Sequence, residues 1–174
     1  MKDKIKFYLA KGQVVVDKNI VPLAQKYLEK SKRNLLTMQA IYKIGDSQEL
    51  KKMLKLPKDY DPNEWVVIAG YYAMYSASLA LLAKIGFRSK NHTATLIILE
   101  EYFVKKKHLN ETDLSLIRNA QFQKEEVEKL SDARHKREIA QYSITKETTK
   151  NIAEKIKKDA YDFINKVELI LMQK

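Results

Sequence analysis

The stretch Asp61-Pro62-Asn63-Glu64-Trp65-Val66-Val67-Ile68-Ala69-Gly70-Tyr71-Tyr72-Ala73-Met74-Tyr75-Ser76-Ala77-Ser78-Leu79-Ala80-Leu81-Leu82-Ala83-Lys84-Ile85-Gly86 decides the fold. It opens on a helix start signal. Asp61 can cap, Pro62 takes the first helical position, and Glu64 can reach back to the free amides. It closes on Gly86, which suits a helix stop. From Trp65 to Ala83 there are 19 residues without a charge. That is close to the roughly 20 that a membrane-spanning helix needs. However, Tyr71, Tyr72, Tyr75, Ser76 and Ser78 lie in its middle. A helix buried on all sides in the centre of a bundle has the same composition. The flanking segments are amphipathic and need something to pack around, so a central helix is predicted and a membrane span is not. Gly70, Ala73, Ala77 and Ala80 recur at steps of 3, 4 and 3. Such a small-residue stripe lets a neighbouring helix approach closely.

Upstream, Val21, Ala24, Leu28, Ser31, Leu35, Met38 and Tyr42 fall at steps of 3 and 4, which predicts a long helix from about Asp17 to Lys43. Pro22 is tolerable in its first turn, and Gly45 is read as its end. Asp46-Ser47-Gln48-Glu49 reads as a capping box. It opens a short helix carrying Leu50, Met53 and Leu54 that stops before Pro57. Residues 1–16 hold two patterns: Ile5, Tyr8 and Leu9 suit a short helix, while Gln13-Val14-Val15-Val16 suits a strand. The reading taken is helix, with no strand predicted anywhere in the chain. Downstream, Ser89 or Asn91 caps a helix over about His92 to Lys106, and Thr112 caps another starting at Asp113. A helical pattern continues over Glu125 to Tyr142 after a break near Gln123. Thr145 caps the last helix, which runs to about Met172 with Ile152, Ile156, Ala160, Phe163, Val167 and Leu171 as its stripe. Together these predict an all-α fold: an up-and-down antiparallel bundle of four to five long helices plus short ones. No repeat, low-complexity tract or linker divides it, so residues 1–174 are expected to form one domain.

Composition agrees. Only four Gly and three Pro punctuate 174 residues, so the elements are long. There is no Cys, which excludes disulfides and thiolate metal sites and fits a reducing cytosol. Met1-Lys2-Asp3-Lys4-Ile5-Lys6 lacks a signal-type apolar run. A cytoplasmic protein is therefore expected. The net charge of +11 attracts polyanions. It rests almost wholly on scattered lysine, with five Arg, and lysine enrichment is also common in proteins from hot environments. A nucleic-acid footprint and a generic lysine surface both stay open.

Several chemistries can be set aside. No GxGxxG, phosphate loop or Gly-x-Ser-x-Gly elbow occurs. His92, His108 and His135 are far apart and lack ligand partners at i+3 or i+4, so neither metal nor cofactor is expected. Glu100-Glu101 and Glu125-Glu126 are adjacent pairs, which suit a solvated helix face rather than an acid/base dyad. The informative segment is Leu130-Ser131-Asp132-Ala133-Arg134-His135-Lys136-Arg137-Glu138-Ile139-Ala140-Gln141-Tyr142-Ser143. On a helix, Val127, Leu130, Arg134, Arg137 and Gln141 share one stripe, at steps of 3, 4, 3 and 4. The two arginines thus continue an apolar face. There each must find an anion, because an unpaired buried charge is very costly. That anion is either an internal carboxylate such as Glu100 or Glu101, a carboxylate across a dimer interface, or a bound phosphate.

The block Tyr71-Tyr72-Ala73-Met74-Tyr75 through Leu81-Leu82, Gly86 and Ser89-Lys90-Asn91-His92, followed by Arg137-Glu138-Ile139-Ala140-Gln141-Tyr142, resembles the HEPN family. The similarity covers roughly residues 60–172. Many members are metal-independent ribonucleases with an Arg-x(4–6)-His motif, often as dimers with the motifs facing each other. Here Ala140 and Tyr142 stand where that His would, His135 adjoins Arg134 instead, and Gln141 replaces a frequent Asp. Tyr, with an ordinary pKa near 10, is a poor base at neutral pH. Other members resemble this variant. They are often encoded beside a small nucleotidyltransferase and are thought to act as its substrate-binding partner, or within a toxin–antitoxin pair. The resemblance therefore implies a homodimeric, non-catalytic module that binds nucleotide or RNA through Arg134, Arg137 and Tyr142. His92, His135 and Gln141 are neighbours to consider. An endoribonuclease of toxin type using the same arginines is the alternative, and a purely structural or interaction domain is a third. Apolar runs such as Ile97-Ile98-Leu99 are read as support for a dimer face.

Overall fold

In a computed structural model, the backbone is described for residues 2–134 and 142–173, and side chains for 3–128 and 149–173. Helix α1 (Lys2–Ala10) leads into strand β1 (Val14–Val16) and a single 3-10 turn (Lys18–Ile20). Then follow α2 (Leu23–Asp46), α3 (Gln48–Met53), α4 (Asn63–Lys84), strand β2 (Phe87–Ser89) and α5 (His92–Leu99), which widens into a π-turn (Glu100–Val104). Helices α6 (Glu111–Arg134) and α7 (Tyr142–Met172) complete the chain.

Helix α4 is the axis. Of the described residues it carries the densest buried set, from Val66 and Val67 through Leu81, Leu82 and Ala83. Its uncharged run is thus explained by neighbours on every side. It is the one described helix long and apolar enough to cross a bilayer, and most of its apolar window is buried in the protein. Ser31 of α2 donates to the Ala73 carbonyl at 2.7 Å, so α2 lies directly on the small-residue stripe. A Cβ at Gly70 would stand 3.0 Å from Met38 Sδ and 3.2 Å from Ile156 Cγ1. Glycine therefore sets the spacing of α2, α4 and α7 at once. Lys32 pairs with Glu168 and Tyr42 reaches Glu154, which makes α2 and α7 antiparallel. Lys166, late in α7, bonds Asp113 at the start of α6, so the far part of one helix meets the beginning of the other. The up-and-down bundle is what the periodicity predicts.

Local signals place most boundaries. Asp61 Oδ1 accepts from Asn63 N at 3.1 Å, and Gly86 takes φ +77°. Ser47 caps α3 through Leu50 N. Asn91 caps α5 by accepting from Ala94 N at 2.9 Å, while Ser89 ties the connection to the Asn91 carbonyl.

Five readings need correction. Val14–Val16 is a strand, paired antiparallel with Phe87–Ser89 in the register Val14 to Ser89. Three successive β-branched residues lie flat more readily than they coil, and the pairing supplies their backbone partners. The preceding helix over residues 2–10 agrees with the reading. Gly45 does not end α2 but lies in its last turn, where a Cβ would sit 2.8 Å from the Pro62 ring. Its role is a close crossing. The cap of α6 is Asn110 rather than Thr112: Asn110 Oδ1 accepts from Asp113 N, and Asp113 Oδ2 accepts from Asn110 N. No break occurs near Gln123, and α6 runs on to Arg134. Finally, Ile98 and Leu99 are fully buried and Ile97 packs against the core, so this run is interior and gives no dimer face.

Candidate functional site

On α4, Tyr71 and Tyr75 are one turn apart and stack at 6.0 Å with ring planes 12° apart. His92 opens α5, and the Asn91 cap and Ser89 loop tie fix that helix start. Its ring lies 4.1 Å from the Tyr75 ring, and its Nδ1 is 2.5 Å from the Tyr71 hydroxyl. From α6, Lys124 reaches over both Tyr71 and Tyr72, its ammonium 5.6 and 5.7 Å from the ring centroids. Glu128, one turn on, holds that ammonium at 2.8 Å. Three elements thus converge on two stacked phenols, an imidazole and a cation. Tyr71 is buried, while Tyr72 is 44% exposed and turns the cluster outward.

Burial keeps the Tyr71 and Tyr75 phenols and the His92 imidazole neutral, and the Lys124 cation faces the Glu128 carboxylate. Burial pushes the Tyr71 phenol far up, and the neighbouring Tyr75 and Tyr72 phenols add to it. Burial raises Tyr75 as well, partly offset by a hydrogen bond with Thr95. Burial lowers His92, and the Lys124 charge lowers it further against an opposing pull from Glu125. At neutral pH the imidazole is uncharged. The bond to Tyr71 occupies Nδ1 whichever partner donates, which leaves Nε2 as the ring nitrogen open to a ligand. A flat aromatic wall and one polar ring atom suit stacking recognition of a base, and the Lys124 ammonium, shared with Glu128, lies over the rings. They do not make a general base at Nδ1.

Of the residues singled out in the sequence, His92 lies in this cluster. Arg134 ends α6 and Tyr142 opens α7, but their side chains lie outside the described residues. His135, Arg137 and Gln141 lie outside them altogether. Neither glutamate offered as an internal partner is unengaged: Arg118 faces Glu100 at 3.9 Å, and Lys105 holds Glu101 at 2.6 Å. Among the described residues no group of three His, Asp or Glu could hold a metal. Tyr71, Tyr72 and Tyr75 belong to the block that resembles the family, and their i, i+1, i+4 spacing beside a capped His is the signal that nominates them as site residues. Lys124 gave none, since one lysine among so many carries no mark.

The HEPN domain family model matches residues 46–170. A UPF0332 protein of Archaeoglobus fulgidus is 35% identical over 98 residues, which is 56% of this chain and 67% of that protein. No solved structure matches the chain.

Proposed function

The chain belongs to the HEPN family, and from that premise we propose that it is a non-catalytic module that binds a nucleotide or RNA. The observation that carries the proposal is the Tyr71–His92–Tyr75 cluster under Lys124. It offers stacking surface beside a lysine ammonium paired with Glu128, and the imidazole Nδ1 is already engaged by the Tyr71 hydroxyl. Arg134 lies ten residues beyond Lys124 on the same helix, a rise of about 15 Å at 1.5 Å per residue. Arg134, Arg137 and Tyr142 extend the site in this reading: the guanidinium groups hold phosphate and the phenol stacks on a base. The module acts as a homodimer and as the substrate-binding partner of a small nucleotidyltransferase in a toxin–antitoxin-type pair.

Incubation of the purified protein with mixed RNA in EDTA separates this from the ribonuclease reading. No cleavage is expected. Cleavage that vanishes in Arg137→Ala would establish the ribonuclease and end the proposal. Titration with nucleotides and a short RNA should show at least a tenfold loss of affinity in Arg134→Ala/Arg137→Ala. Unchanged affinity would favour a structural domain, and a steep salt dependence equal for every polyanion would mean only lysine attraction. Light scattering tests the dimer, and co-purification with a neighbouring nucleotidyltransferase tests the partner.

A further inference from the structure

Apart from the Tyr71–His92 cluster, a cleft of about 500 Å³ lies between the end of α2, α3, the 55–62 connection, the start of α4 and α7 at Lys150. Tyr42 and Tyr60 form part of its wall, and Lys51, Lys58 and Lys150 line it. The volume is within the range of small-molecule sites.

Lys51 is the unusual residue. It is 6% exposed, although α3 is short and both apolar residues at its end, Met53 and Leu54, are exposed. Its ammonium meets one acceptor, the Lys58 carbonyl, at the long distance of 3.5 Å. Among the described residues it forms no ion pair. Lys84 shows what a satisfied inward lysine looks like, since it donates to the Ile170, Leu171 and Gln173 carbonyls at 2.8, 3.2 and 2.5 Å. A buried ammonium short of acceptors is unfavourable, and an incoming anion supplies the missing partners. Lysine is a point-charge binder of phosphate.

The remaining lining narrows the ligand. Asp46, Asp59 and Asp61 share the cleft, so its formal charge balances the three lysines. A long polyanion gains no net attraction from that wall, because its further phosphates would meet carboxylates. A single phosphoryl group carried on a hydroxylated body avoids this, because its hydroxyls can donate to carboxylates while its phosphate meets Lys51.

We propose that this cleft is a binding site for a phosphate-sized oxyanion, held by buried Lys51 with Lys58 and Lys150 beside it. The oxyanion is either free phosphate or the phosphoryl end of a small sugar phosphate. The test is calorimetric titration of the full chain with inorganic phosphate and with ribose 5-phosphate, at matched ionic strength in chloride. One or both should bind, the tighter one identifying the source. Lys51→Met should weaken that binding at least tenfold, while Arg134→Ala/Arg137→Ala leaves it within twofold. Conversely, Lys51→Met should leave RNA affinity unchanged, so failure here is distinct from failure of the nucleotide or RNA site. Absence of binding by the wild type, or binding unchanged in Lys51→Met, overturns the proposal. Should Lys51→Met not fold, Lys58→Met/Lys150→Met, at two exposed positions lining the same cleft, decides: phosphate binding weakened several-fold supports the site and unchanged binding refutes it.

Discussion

Gly70→Ala tests the packing on which the bundle rests. Two effects oppose each other. In a helix interior alanine is favoured over glycine by about 1 kcal/mol, so on propensity alone the variant should be more stable. Against this, the new methyl would stand 3.0 Å from Met38 Sδ and 3.2 and 3.3 Å from the two Cγ atoms of Ile156. Met38 and Ile156 are fully buried, so neither can swing into solvent. Overpacking of this kind costs roughly 1–3 kcal/mol. The net expectation is a loss of about 1 kcal/mol, which for a domain of this size lowers Tm by about 3 °C. Urea unfolding followed by circular dichroism measures it, with an unchanged slope showing that the unfolded state is the same. In a Met38→Ala background the sulfur is gone, and Gly70→Ala should become neutral or stabilising, a coupling near 1 kcal/mol. Refutation would be Gly70→Ala more stable than the wild type by the full propensity gain. The three helices would then not be in contact at this point as described.

Further expectations concern the site and the helix ends. Lys84→Met removes three hydrogen bonds to carbonyls at the end of α7 and should cost about 2 kcal/mol in urea denaturation, since bonds to charged groups contribute roughly 1.5–3 kcal/mol. His92 has a folded pKa below its ordinary value near 6.5, so the unfolded chain takes up the proton first as the pH falls. Its contribution is therefore full above about pH 7 and is lost as the pH drops below about 6.5. Denaturation midpoints between pH 7 and pH 5 should fall less steeply in His92→Gln. Tyr72→Ala removes exposed stacking surface and should weaken nucleotide binding several-fold, with stacking worth about 1–3 kcal/mol per base, while leaving Tm within a few degrees. An equal loss of Tm and affinity would show that Tyr72 serves the fold instead.

Much of this molecule was legible from local sequence. The start at Asp61-Pro62, the stop at Gly86, the Ser47 and Asn91 caps and the small-residue stripe each depend on residues within one or two turns of each other. Period and capping therefore determined the helices, the order of the bundle and the burial of α4 without any knowledge of neighbours. Other features were decided only when distant parts met. Val14–Val16 becomes a strand because Phe87–Ser89 offers it hydrogen-bond partners more than seventy positions later. Gly45 is needed because the Pro62 ring crosses it, not because a helix ends there. Lys124 gains meaning from the tyrosines beneath it, and Lys51 from the cleft around it, though both look like ordinary surface lysines in the sequence. The physical reason is the same in each case. Backbone propensity and capping act over a few residues and leave a periodic trace, whereas a cation over a ring or a buried ammonium depends on atoms that only the packed bundle brings together.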